Sequence, residues 1–252
     1  SGFVAAREVG VQASACPVKR SLKAGLQQCM LSPQDLEPDM GRLFGELCVA
    51  GLMAGAILAA CFLAPTESTM GHAQRIVYLH VPVAWLGLLA FLGMAGSGLA
   101  YLSGRNLGWD HWFQAAGELG WLCCGLTLVT GSLWAHEAWG TWWEWDPRLT
   151  TAFILWAIYS GVLLVRAGIE DPHRRARVGA VLAILGALDV PLVVMATRWF
   201  RGLHPVAPEM APLMRTTLLI SVVGFTVFFA WLANRRREQL GLETFAAELQ
   251  RQ

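Results

Sequence analysis

Charge is what this chain has least of. Asp, Glu, Lys and Arg make up 15% of its 252 residues, while hydrophobic residues make up 55%. An ordinary soluble domain carries roughly 25% charged residues. With a mean hydropathy of +0.47, the composition excludes a water-soluble globule and reads as a polytopic membrane protein. Cysteine is present but unpatterned: the six stand at positions 16, 29, 48, 61, 123 and 124, with no C-x-x-C pair and no C-x-x-C-H motif. A disulfide framework is therefore not expected, and Cys61, Cys123 and Cys124 read as small hydrophobes within apolar runs. No G-x-x-x-x-G-K-[ST] loop occurs, so any ATP hydrolysis must belong to a partner. No apolar run of signal-peptide type precedes residue 43, and residues 1–42 read as a polar N-terminal segment. The net charge of +1 says little about partners, since charge asymmetry between loops matters more; no nucleic-acid partner is expected.

What is present instead is length of apolar run. About 20 residues of helix cross about 30 Å of hydrocarbon, and runs of that kind lie at about Leu43–Ala64, Ile76–Leu102, Gly117–Trp134, Leu149–Val165, Val178–Thr197 and Leu213–Leu232. In lipid every backbone polar group must be satisfied within the segment, so these are helices. The fold class expected is all-α, a polytopic bundle of six transmembrane helices over residues 43–233. Fourteen of the nineteen Lys and Arg fall in the termini and even loops, Arg105, Arg174 and Arg235 among them, against five in the odd loops. By the positive-inside rule both termini are cytoplasmic. The segment 234–252 then reads as a cytoplasmic tail, and loops one, three and five face the other compartment.

The third loop, 136–148, holds "HEAWGTWWEWDPR". Trp139, Trp142, Trp143 and Trp145 fall within seven residues, too dense for an ordinary aromatic belt at the headgroup level. If the stretch is helical, Trp139, Trp142, Trp143 and Asp146 share one face at i, i+3, i+4 and i+7. Gly140 weakens that helix, and Pro147 suits the first turn of the fourth span. The result is a flat aromatic shelf, for which a planar macrocycle is a natural partner.

Histidines supply the second signal. His111 and His173 sit beside charged residues in inner loops and read as solvated, and His72 has no special context. His80, in "RIVYLHVPVAW", lies about one turn inside the second span; His204 lies in loop five among prolines; His136 opens the tryptophan loop. A lone histidine at a membrane interface is more often a hydrogen-bonding residue than a ligand. Two on one side from distant segments, His80 and His204, meet the requirement for gripping an iron porphyrin from both faces. A compact zinc site would show closely spaced Cys and His ligands. Spacing alone leaves ligation and hydrogen bonding both open. Arg148, Arg198 and Arg201 are within reach of haem propionates, and Asp146 reads as an anchor that bonds an indole or pairs with Arg148. Asp189, inside the fifth span, is a functional candidate or, with Pro191 nearby, a cap on a kinked backbone. Glu46 and Glu118 read as wet residues at inner span ends.

At these residues the sequence resembles a known family, the tryptophan-rich WWD haem-handling membrane proteins of cytochrome c maturation, and in particular its haem-exporter branch. "GSLW", "WGTWWEWDPRLT", "RIVYLHVPVAW" and "LHPVAP" look like that family's segments in the same order, over about Arg75 to Trp231. The resemblance implies a six-span bundle in a bacterial inner membrane. Trp139, Trp142, Trp143, Trp145 and Asp146 would contact the haem edge, with His80 and His204 as axial ligands. It also implies non-covalent, transient binding of b-type haem, held at the periplasmic face and passed to a membrane-anchored haem chaperone. The expected partners are ABC transporter subunits and a small membrane subunit. "AHEAWG" is similar to the related cytochrome c synthase branch, which keeps a haem-ligating synthase subunit open as the alternative. In that setting His136 is a third ligand, a propionate partner or a polar loop residue. An electron-transfer cytochrome and a cofactor-free scaffold are the remaining readings.

Overall fold

The computed structural model describes residues 40–200, 202, 204 and 210–250. The N-terminal segment expected over 1–42 lies almost wholly outside them, as do Arg201 and most of loop five. The chain divides into two compact units at Gly45/Glu46. Among the described residues the first unit contributes only the opening turns of a helix, and the second, residues 46–252, holds the bundle.

Among the described residues seven α-helices account for the six spans: α1 (Met40–Leu58), α2 (Val77–Gly104), α3 (Gly108–Trp139), α4 (Pro147–Ala167), α5 (Pro172–Gly186), α6 (Asp189–Trp199) and α7 (Pro212–Gln250). The same residues form no strand. All six stretches are long and apolar enough to cross a membrane, as the runs predict. The first ends in a π-helical turn, Ala59–Leu63, and the second is led in by a 3-10 turn, His72–Ile76.

Small residues let α2 and α3 come close. A Cβ on Gly120 would stand 2.7 Å from Ala90 Cβ, and one on Gly87 would stand 2.8 Å from Cys124 Sγ. This is the close approach that membrane helices use where no hydrophobic effect drives them together. Tyr159 of α4 reaches into the same seam and donates its hydroxyl to the Gly87 carbonyl at 3.0 Å. Phe91, Met94, Phe113, Leu155, Val162 and Ala183 complete the buried core around it.

The helices differ from the apolar runs at several points. The third span begins at Gly108, nine residues before the apolar run, and α7 continues helical to Gln250 through the segment read as a tail. Polar residues extend both helices because ion pairs hold them there. Glu118 lies well inside α3 and pairs with Arg236 at 2.6 Å, and Glu46 pairs with Arg235, so neither is simply wet. His111 and His173 occupy helix starts instead of open loops: His111 Nε2 lies 3.2 Å from Thr244 Oγ1, and His173 Nδ1 lies 3.1 Å from the Tyr101 hydroxyl. The fifth span is broken between α5 and α6. Pro191 has no N–H for the Ala187 carbonyl, which accepts instead from Val190 at 3.2 Å in a tighter i+3 turn. Asp189 marks that break but does not cap it, since no side-chain cap bond forms there and its Oδ2 has no partner among the described residues.

At the end away from the tryptophan loop, Arg166 and Asp110 form a buried pair at 2.8 Å, each side chain under 5% exposed. Gln114 accepts a further bond from Arg166 Nε at 3.0 Å, and the guanidinium lies 4.5 Å over the Phe113 ring. The pair ties α3 to α4 and leaves the opposite end of the bundle to carry the candidate site.

Candidate functional site

His80 is the fourth residue of α2 and is half-buried against α3. Its Nδ1 lies 2.9 Å from the Thr130 hydroxyl. The next residue on α3 is Gly131, where a Cβ would stand 3.0 Å from His80 Cε1. Any larger residue there would push the ring off the helix. His80 is also within electrostatic range of His204 and Arg148, although they are far apart in the chain.

The tryptophan stretch is a helix end and a loop, not one helix. Gly140 takes a left-handed conformation (φ +73) that closes α3, with its N–H on the His136 carbonyl at 2.9 Å. Only glycine adopts that geometry without cost. Residues 141–146 then run irregularly until Asp146, in extended backbone, caps α4 by accepting the Leu149 N–H at 2.7 Å, with Pro147 in the first helical position. The single aromatic face expected of a helix is therefore not formed. Trp139 packs edge-on to Trp134 at 5.2 Å; Trp142 stacks on His136 at 4.1 Å; Trp143 meets Trp145 at 5.4 Å and Phe153 at 6.3 Å. His136 belongs to the last turn of α3, not to the loop.

Trp142, Trp143 and Trp145 line an open apolar groove of about 580 Å³ with Leu128, Val129, Leu133 and Phe153. That volume is within the range of small-molecule sites. Trp143 Nε1 is buried there with no acceptor among the described residues. Helical spacing puts residues 128, 129, 132 and 133 on one side of α3 and residues 130, 131 and 134 on the other. The groove and His80 thus flank α3 from opposite sides. Ser132, on the groove side, donates its hydroxyl to the Trp142 carbonyl.

Gly202 and His204, the described residues of loop five next to α4, lie at the same end. Asp146 Oδ2 accepts the His204 backbone N–H at 3.4 Å, and a Cβ on Gly202 would stand 2.9 Å from that oxygen. Asp146 is thus an anchor as expected, but for a helix start and for His204; the bond to an indole is not formed. Arg148 is half-buried within electrostatic range of Asp146, and Arg198, at the end of α6, is exposed. The structure gathers His80, Arg148, Asp146 and His204 into one neighbourhood, with the groove of Trp142, Trp143 and Trp145 on the other side of α3. Among the described residues no three His, Cys, Asp or Glu side chains cluster for a metal. A porphyrin would supply further ligands to an iron held here. Two imidazoles and a half-buried arginine are a donor set that fits such a group. Thr130 and Phe153 are not singled out in the sequence, and Gly131 and Ser132 enter there only as part of "GSLW", with no role given. The signal available is a glycine between two hydroxyl residues in mid-helix, just ahead of the tryptophans.

A six-span α-helical membrane protein with paired histidines and an aromatic loop at one end is the class these features define. The family model for Heme exporter protein C matches residues 32–250, and the chain belongs to that family. It is 36% identical over 177 residues to Heme exporter protein C of Bradyrhizobium diazoefficiens, covering 68% of this chain and 67% of that protein. With Heme exporter protein C of Paracoccus denitrificans it shares 33% over 213 residues, 81% and 86% of the two chains. With that of Escherichia coli K12 it shares 33% over 185 residues, 70% and 74%. A role in haem export for cytochrome c maturation, in a multi-pass membrane protein, follows from the family.

Proposed function

We propose that this protein holds b-type haem, non-covalently and transiently, at the periplasmic face of the bacterial inner membrane, with His80 and His204 as axial ligands. It passes the haem to a membrane-anchored chaperone that supplies apocytochrome c. ATP hydrolysis belongs to ABC-type partner subunits, with a small membrane subunit completing the complex, and this chain makes and breaks no covalent bonds of its own. The observation that carries this reading is the convergence of His80 and His204, 124 positions apart by their numbers, at the end of the bundle that bears the tryptophan loop.

Each residue has a task in that reading. His80 and His204 bind the iron from its two faces. Arg148 offers a cation to a propionate. Trp139, Trp142 and Trp145 cover the porphyrin edge or the chaperone docked against it. Asp146 holds the His204 backbone, so the second ligand is set by the start of α4.

The test is the visible spectrum of detergent-purified protein from haem-replete cells. A bis-histidine haem spectrum is expected, weakened in His80→Ala and in His204→Ala and lost in the double variant. Transfer to added chaperone is expected from the wild type. Colourless wild-type protein, or haem retained in the double variant, would overturn the assignment.

A further inference from the structure

We propose that Thr130 is a positioning residue for His80, fixing the ring's tautomer so that Nε2 carries the lone pair, and that Gly131 and Ser132 couple this ring to the tryptophan loop. The first part follows from proton counting. The Thr130 hydroxyl lies 2.6 Å from the Leu126 carbonyl and 3.4 Å from the Thr127 carbonyl. Carbonyls only accept, so the single hydroxyl proton is directed to Leu126. What remains on Oγ1 is lone-pair density, and His80 Nδ1 stands 2.9 Å from it. Nδ1 must therefore carry the hydrogen. A neutral imidazole has one ring N–H, which leaves Nε2 unprotonated.

Burial makes the arrangement firm. Thr130 is 7% exposed, so water offers little competition for its oxygen. A ring nitrogen facing a buried acceptor without a proton would set two lone pairs against each other. The same logic operates where metal-binding histidines donate their second nitrogen to a carboxylate, a carbonyl or water, which sets ring orientation and ligand basicity. Here a threonine, itself polarised by the helix carbonyl it bonds, occupies that place, and the Thr127 backbone adds a second hydrogen bond to the ring.

The neighbours extend the effect. Gly131 leaves room for the ring: an added Cβ would meet Cε1 at 3.0 Å and Nδ1 at 3.6 Å, displacing the imidazole from Thr130. Ser132 points to the opposite side of α3 and donates to the Trp142 carbonyl. Three consecutive residues thus fix the His80 ring on one side of a helix and the tryptophan loop on the other. A shift of α3 would move both together.

The proposal rests on haem ligation by His80 for its purpose, but not for its first readout. Haem-free protein labelled with 15N-histidine reports the His80 tautomer directly by NMR, with His80→Gln identifying the signal. The expected form is Nδ1–H in the wild type and in Thr130→Ser, with Thr130→Val shifting the ring towards Nε2–H. In haem titration Thr130→Val loses about ten- to a hundredfold in affinity, and Thr130→Ser retains the wild-type affinity. A wild-type His80 protonated at Nε2 would overturn the proposal even if every variant misfolds. So would a Thr130→Val protein with tautomer and affinity both unchanged. If the tautomer follows Thr130 but His80→Ala leaves haem binding intact, the positioning stands and the haem reading fails.

Discussion

Asp146 and His204 are joined through a single carboxylate that works in two directions. Oδ1 accepts the Leu149 N–H at 2.7 Å, starting α4, and Oδ2 accepts the His204 N–H at 3.4 Å. The acidic residue of the tryptophan motif is thus the joint between the helix that succeeds the loop and the segment that brings the second histidine.

Replacing it separates these tasks. Asp146→Asn keeps a good capping oxygen and costs a few tenths of a kcal/mol or less, whereas Asp146→Ala loses about 1 kcal/mol of stability and frees the His204 backbone. Thermal unfolding in detergent reads the first effect, and the rate of haem loss reads the second. Equal haem retention in both variants and the wild type would show that His204 is held by other means.

His136 offers a control. It stacks on Trp142 at 4.1 Å, on the groove side of α3, with a 41% exposed side chain. His136→Ala is expected to leave the iron ligation spectrum unchanged while altering transfer to a partner that docks on the groove. A changed ligand field would make His136 an iron ligand and restore the synthase-like alternative.

Stability at the far end depends on the Arg166–Asp110 pair. Removing one partner strands a buried charge, so Asp110→Ala is expected to cost about 3–5 kcal/mol, while a double replacement by apolar residues of similar volume recovers most of the loss. Chemical denaturation of the detergent-solubilised protein measures both. A double variant no better than the single would mean that Gln114 and Arg175 carry the junction.

A pH effect is expected in the first connecting loop. The Glu67 carboxylate accepts the N–H of Met70 at 2.6 Å and of Thr69 at 2.7 Å, bonds that hold its pKa below the usual carboxylate value. A depressed carboxylate contributes order above its unfolded pKa, about 4.3, and loses it as pH falls through the lower folded value. Amide exchange at Met70, corrected for its intrinsic pH dependence, should show protection at neutral pH and its loss in acid. Glu67→Gln should lack most of it throughout.

The bundle is legible in the sequence because lipid leaves so little choice: about 20 apolar residues and a backbone that bonds to itself. Its ends are not, because Arg236 sustains the last helix beyond its apolar run through a contact with Glu118, 118 positions away. The tryptophan loop misleads for a local reason. Its spacing fits one helical face, but Gly140 closes α3 and Asp146–Pro147 opens α4 between the same residues. Pro147 and Gly140 themselves read correctly. Thr130 is invisible for the opposite reason, since its meaning comes from a ring 50 residues away.

Whether His80 and His204 grip one iron is met most directly by low-temperature EPR of the ferric haem-loaded protein. A low-spin signal of bis-imidazole type is predicted for the wild type, converting to high-spin or exchangeable-ligand forms in either single histidine variant. A low-spin bis-imidazole signal that survives the loss of both histidines, or a wild-type protein whose iron is high-spin from the outset, would contradict it.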